Sequence, residues 1–174
     1  VSDSPPIAIP DGQDFTFGYL RVPENRSASE TRTLELPVFW FKSRSSNPAT
    51  DPIIYLVGGP GASIVPSAPY MKFYRYLEDR DFILLEQRGT RYARPSLDCP
   101  EWAAAVQASY RPDYSESQRD SLLVDAAASC RQRLVSEGAD LEGYRTREIA
   151  ADVADLRRVL GIEDYNLLTL SYGT

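Results

Sequence analysis

Ile53-Ile54-Tyr55-Leu56-Val57-Gly58-Gly59-Pro60-Gly61 is the stretch on which the fold turns. A short β-branched run that stops abruptly at glycines is the pattern of a parallel strand buried on both faces and followed by a tight turn. The pattern recurs twice. Phe82 to Leu85 breaks at Gln87-Arg88-Gly89-Thr90, and Tyr165 to Leu170 runs into Ser171-Tyr172-Gly173-Thr174. Helical patterns lie between these runs. Ser67 to Asp79 carries Tyr70, Phe73, Tyr74 and Leu77 at helical spacing, and Trp102 to Glu137 reads as helix with Leu122, Ala126, Cys130 and Leu134 on one face. Ile149, Val153, Leu156 and Leu160 make an amphipathic helix, with Thr146 as its expected N-cap and Gly161 as its stop. Upstream, Phe15 to Val22 and Thr33 to Phe41 read as an antiparallel pair. In the second of these, Leu34, Leu36, Val38 and Trp40 share one face, and Pro37 points to an edge or a bulge. Val1 to Asp14, with Pro5, Pro6 and Pro10, reads as an extended arm. The order predicts an α/β fold: a mostly parallel sheet with an antiparallel N-terminal strand pair and helices on both faces. No repeat or linker divides the chain, so residues 1–174 read as a portion of a single domain. A buried strand entering a Gly turn calls for a covering helix, which is expected beyond Thr174.

Composition narrows the chemistry. The 174 residues are 43% apolar and 25% charged, a globular balance, and no apolar run approaches the roughly 18 residues of a spanning helix. A net charge of −6 and a pI near 4.8 offer nothing to a phosphate backbone, so nucleic acid is excluded as a partner class. The chain has no His. It cannot by itself run a Ser-His-Asp or Cys-His relay, and two Cys with carboxylates are a poor zinc set. The glycines lack the spacing of a dinucleotide fingerprint, and no Lys-Ser or Lys-Thr follows them to make a phosphate loop. No cofactor and no metal are expected. Lys42 and Lys72 are the only lysines among 19 basic residues, and the scattered arginines read as compositional bias rather than an anion site. Cys99 and Cys130 are compatible with one bridge in an oxidising compartment or with two buried thiols. Asn25-Arg26-Ser27 fits the glycosylation sequon, a triplet frequent by chance. No charged-then-apolar leader opens the chain, so any secretion signal is expected to have been removed already or never to have been there.

Ligands of open parallel sheets bind beyond the carboxyl ends of the strands, where all three Gly-containing turns fall. Gly58 to Gly61 would bring backbone N–H groups close to a ligand oxygen. Ser171, on a strand-to-helix turn with Gly173 two residues on and Thr169 two residues before, has the setting of a nucleophile elbow. A serine there is otherwise a plain turn or cap residue. The β-branched Thr169 crowds the path of a following helix.

Val57-Gly58-Gly59-Pro60-Gly61-Ala62-Ser63, then Glu86-Gln87-Arg88-Gly89-Thr90 with Pro95, Leu97 and Cys99, then Asp152, Asp155, Leu156, Arg157 and Leu160-Gly161, then Ser171-Tyr172-Gly173-Thr174 follow one another in order. Together they resemble the α/β-hydrolase serine peptidases of the prolyl iminopeptidase and tripeptidyl aminopeptidase group, and Gly18 to Arg26 resembles the start of their secreted branch. The resemblance implies the N-terminal portion of an α/β-hydrolase fold, ending at the elbow, and secretion or a periplasmic location. Ser171 would be the nucleophile, and Tyr172 and Gly59 would lend backbone N–H groups to the oxyanion hole. Gly58, Gly61, Arg88 and Gly89 would shape the supporting loops. Arg88 has an equally good reading as the ion-pair partner of Glu86 or another buried acid. Val57, Glu86 and Thr169 stand where that group usually has His, Asp and Gly. The same resemblance implies a Cys99–Cys130 disulfide. It implies an aminopeptidase that releases residues or short peptides from free N-termini through an acyl-enzyme. An esterase or other small-acyl hydrolase is the alternative on the same fold, and a non-catalytic binding domain is the alternative of another class. The triad acid and His would lie outside this chain, so the isolated chain is expected to be inactive. Its expected partners are the remainder of the hydrolase, or a second copy covering the uncovered sheet edge, and a peptide or small acyl substrate.

Overall fold

The computed structural model describes residues 4–174, so Val1–Asp3 of the expected arm lie outside the described residues. The chain divides into two compact units, Val1–Ser96 with Gly143–Thr174 and, inserted between them, Leu97–Glu142.

The larger unit holds a mixed five-stranded sheet of α/β type. Strands β1 (Phe15–Pro23), β2 (Thr33–Phe41), β3 (Ala49–Leu56), β4 (Arg80–Leu85) and β5 (Asn166–Thr169) lie in the order β1-β2-β4-β3-β5. The expected N-terminal hairpin is present, with Phe15 opposite Phe41 and Pro23 opposite Thr33. β2 also pairs antiparallel with β4, whereas β3 runs parallel to both β4 and β5. Parallel and antiparallel pairings are therefore equal in number.

β2 is an interior strand, which corrects the expectation that Pro37 marks an edge. A strand residue aims its N–H and C=O to the same side, and the Pro37 carbonyl accepts from Glu86 N just past Val38↔Leu85, the last β2–β4 pair. The missing donor of Pro37 thus falls opposite Glu86, the first residue past β4, and costs the ladder only that terminal bond. The alternation of β2 is as read. Leu34, Leu36, Val38 and Trp40 join a cluster with Ile54, Leu56, Ile83, Leu85, Val153 and Leu156, while Phe39 and Phe41 join the opposite one with Ile53, Phe82 and Leu84.

Helix α3 (Thr146–Leu160) covers the first face through Val153 and Leu156, and Gly161, at φ +66°, ends it. Its N-cap is Arg145 rather than Thr146, whose hydroxyl is engaged elsewhere. The second face is covered by 3-10 turns at Val65–Phe73 and Arg75–Glu78, by Ile7 and Ile9 of the arm, and not by the α-helix expected over 67–79. Pro66 and Pro69 remove amide donors, and a three-residue period takes over. Val65, Ala68, Met71 and Leu77 turn inward, leaving Tyr70, Phe73 and Tyr76 exposed in a row of their own. The expected face is therefore split: Tyr70 and Phe73 point out, whereas Leu77 is buried and Tyr74 packs against the core.

The smaller unit is a helical hairpin of α1 (Pro100–Ser109) and α2 (Glu116–Ser136). The single helix read over Trp102 to Glu137 is broken at Tyr110–Ser115, where Pro112 interrupts and Ser115 and Gln118 form a reciprocal capping box. Leu122, Ala126, Cys130 and Leu134 face inward as the four-residue spacing requires, but of these only Cys130 and Leu134 are buried, joined by Ala105 and Ala139. Such a core is too small to hold a hairpin unaided. A disulfide joins Cys99 to Cys130, and Arg133 reaches Glu101 at 2.6 Å and the Asp98 carbonyl at 2.8 Å. Closing a loop across 31 positions restricts the unfolded chain by about 3 to 4 kcal/mol. Reduction by dithiothreitol is expected to lower hairpin stability by that amount, read as the denaturant midpoint of helical circular dichroism; an unchanged midpoint would contradict it. Among the described residues no helix is long and apolar enough to cross a membrane.

Candidate active site

Three adjacent parallel strands, β4, β3 and β5, deliver their following turns to one edge of the sheet. The structure thereby brings together the glycine loop after β3, the Glu86–Thr90 turn after β4 and Ser171 after β5. β5 is held in register by Leu56↔Thr169, and Leu170 N donates to the Leu56 carbonyl at 3.1 Å.

Ser171 has φ +53° and is the single non-glycine residue with positive φ among those described. A side chain in that region is strained, and such strain collects where a structure holds a group for use. The turn around it is built by close approach. A Cβ on Gly58 would sit 2.7 Å from both Ser171 Cβ and the Leu170 carbonyl oxygen, and 3.1 Å from Tyr172 N. A Cβ on Gly173 would lie 2.6 Å from the Leu56 carbonyl oxygen. Glycine at 58 and 173 is what lets the β3 turn and the serine turn touch. Ser171 and Tyr172 are exposed at this edge, and the Tyr172 phenol meets Thr146 Oγ1 at 2.7 Å. Gly59, at φ +127° before a cis Pro60, and Gly61 lie exposed at the tip of the loop.

What fixes that loop is Glu86, which is fully buried. Its Oε2 accepts from Ser63 Oγ at 3.0 Å, Ile64 N at 2.9 Å and Val65 N at 3.3 Å. Its Oε1 accepts from Thr90 Oγ1 at 2.7 Å and Tyr92 N at 3.2 Å. Gln87 adds a brace by donating to the Val57 carbonyl at 2.7 Å. One carboxylate thus ties the β3 loop to the β4 turn, a job neither hydropathy nor spacing announces.

Arg88 does not enter the site and does not pair with Glu86. It is buried, gripping Asp152 through two bonds of 2.7 and 2.5 Å and donating to the Glu24 and Gly143 carbonyls at 2.6 Å each. Asp152 is shared with Arg26, which also reaches Glu148 at 2.9 Å and Asp155 at 2.5 Å. Glu148, Asp152 and Asp155, four and three residues apart, place three carboxylates on one side of α3. That spacing was readable, and its meaning depends on Arg88 and Arg26 arriving from distant turns. Nearby, buried Glu24 accepts from Tyr144 at 2.7 Å and pairs with Arg32, and burial together with the Glu24 bond pushes the Tyr144 phenol up to about 12.

Burial alone would raise the Glu148 and Asp155 pKa values, but the Arg26 bonds override it and hold both below their ordinary values. A carboxylate depressed in the folded state contributes stability that is full above its unfolded pKa and is lost as pH falls through the folded one. The urea midpoint is expected to be flat from neutrality to about pH 5 and to fall steadily below about pH 4. A midpoint that rises on acidification contradicts this.

No protein-family model and no curated protein matches this chain. The site therefore rests on its own geometry.

Ser171→Gly gives that geometry a thermodynamic reading. Relief of a positive-φ side chain is expected to stabilise the chain by about 1 kcal/mol, measured by urea unfolding. A destabilised variant would mean that Ser171 bears no backbone strain.

Proposed function

We propose that this chain is the nucleophile-bearing portion of a serine hydrolase with the α/β-hydrolase fold, resembling the aminopeptidases that act on free N-termini. The observation that carries the reading is Ser171 at φ +53° on the end of a parallel strand, with its Cβ packed against Gly58 and Tyr172 N beside the same glycine. In a nucleophile elbow a serine so placed presents its hydroxyl to backbone N–H groups of the elbow and of the preceding glycine loop.

In this reading Ser171 Oγ attacks the substrate carbonyl carbon. The carbonyl π pair moves onto oxygen, which is held by the N–H groups of Tyr172 and Gly59. The serine proton passes to a base, then to the leaving amine as the C–N bond breaks, and water hydrolyses the acyl-enzyme. The base and its acid come from outside these 174 residues, because the chain has no His. Gly58 and Gly61 shape the loop, Glu86 and Gln87 anchor it, and Arg88 secures α3 rather than touching substrate. The mostly parallel sheet with helices on both faces belongs to the same proposal. β5 is an edge strand, and its Leu167 and the following Leu170 are more than half exposed, a surface suited to a further strand from the remaining segment or a second copy. The Cys99–Cys130 bridge is compatible with an extracellular or periplasmic setting.

Chromogenic substrates test the class. With the His-bearing segment supplied, peptide anilides with free N-termini are expected to be turned over and N-blocked ones spared. Preference for short acyl esters would replace the peptidase by an esterase, and inertness to all three would favour a binding domain.

A further inference from the structure

The glycine loop after β3 has little means of holding itself. Gly58, Gly59, Pro60, Gly61 and Ala62 carry no side chain that can form a hydrogen bond, and the bond across the span, from Ala62 N to the Gly58 carbonyl, is long at 3.3 Å. A glycine-rich segment has many backbone conformations open to it, and an N–H at its tip would move with them. Both ends of the span, however, are tied to the two residues that follow β4.

Upstream, the Gln87 side-chain amide donates to the Val57 carbonyl at 2.7 Å. The peptide unit is planar, so fixing that carbonyl also fixes the direction of the Gly58 N–H. Downstream, Glu86 Oε2 accepts from Ser63 Oγ, Ile64 N and Val65 N, where the 3-10 turn over Val65–Phe73 begins. The opening amides of a helical turn have no partner inside it, and here a carboxylate from another strand caps them. Oε1 of the same group accepts from Tyr92 N at 3.2 Å. Glu86 and Gln87 are both buried, so neither tie is diluted by solvent.

We propose that Glu86 and Gln87 are positioning residues that set the Gly59 N–H from outside its own loop. The inference rests on the hydrolase reading, in which that N–H meets the oxyanion. The alignment of such a donor matters most as charge develops on the oxygen, so its loss falls on kcat and spares KM.

Glu86→Gln tests the downstream tie. Both carboxylate oxygens receive backbone N–H groups, so whichever way the new amide turns, its NH2 faces a donor. Gln87→Met removes the upstream donor at similar length. In the protein supplied with a His-bearing segment, each is expected to lower kcat at least about ten-fold with KM within about two-fold, counted per Ser171 titrated with a fluorophosphonate so that unfolded molecules drop out. The double variant should lose no more than about 10³-fold, the value of one oxyanion donor. In the 174-residue chain, the Ile64 and Val65 amides should exchange hydrogen faster in Glu86→Gln, while those of α3 keep the parent rate. If turnover needs Ser171 and both variants keep the parent kcat, the positioning proposal falls and the hydrolase reading stands. A loss carried by KM, or a double variant well beyond the limit of one donor, overturns it as well. Turnover that survives Ser171→Ala removes the hydrolase reading and this inference with it.

Discussion

Asp152→Ala is expected to cost about 3 to 5 kcal/mol of stability, enough to leave the larger unit largely unfolded at physiological temperature. The carboxylate is almost wholly buried and accepts from two guanidinium groups, Arg88 on one side and Arg26 on the other. Removing it leaves Arg88, also buried, with its charge unpaired against the Glu24 and Gly143 carbonyls, and an uncompensated buried charge is far more costly than the pair was favourable. Because Arg88 leaves from the β4 turn and Asp152 belongs to α3, the loss should spread to the sheet. Equilibrium unfolding in urea measures it, with Arg88→Met as a second variant that removes the other partner. A change below about 1 kcal/mol in both would place the pair among surface-like bridges, contrary to its burial.

If the proposed hydrolase reading holds, Ser171→Ala is expected to lower turnover by about 10⁶-fold in the protein supplied with a His-bearing segment, with substrate affinity nearly unchanged. Without the hydroxyl no acyl-enzyme forms, and the oxyanion donors alone leave a small residual rate over water. The fold should survive, since Ser171 is exposed and makes its main contacts through the backbone. Stopped assays with purified variant and parent settle the ratio; a loss of ten-fold or less would make Ser171 a turn residue.

Much of this was legible in the residues. The three apolar runs that end in glycines are β3, β4 and β5, although β5 is exposed or half-buried rather than buried on both faces, and the two-residue alternation of β2 sorts its side chains correctly between the two clusters. Strand order was hidden, because nothing local in Thr33–Phe41 says that β4 pairs on its far side and makes Pro37 an interior residue. The segment after the glycine loop was misread because a three-residue and a 3.6-residue period look alike over ten positions. Only the amide donors lost at Pro66 and Pro69 separate them. At the site, Ser171, Gly58 and Gly173 announced themselves through the turn they need. Glu86, Gln87 and Asp152 did not. Their roles arise from partners distant in sequence, and a buried carboxylate looks the same in sequence as an exposed one.

The central claim, that the strained serine at the end of β5 is a nucleophile, has one direct measurement. The protein, completed by the segment that brings the His, is incubated with a fluorophosphonate, digested and mapped by mass spectrometry. The account predicts a single phosphonyl adduct on Ser171, formed in step with the loss of turnover and absent from the 174-residue chain alone. An adduct on another residue as activity disappears, or an unmodified Ser171 in fully inhibited protein, would contradict it.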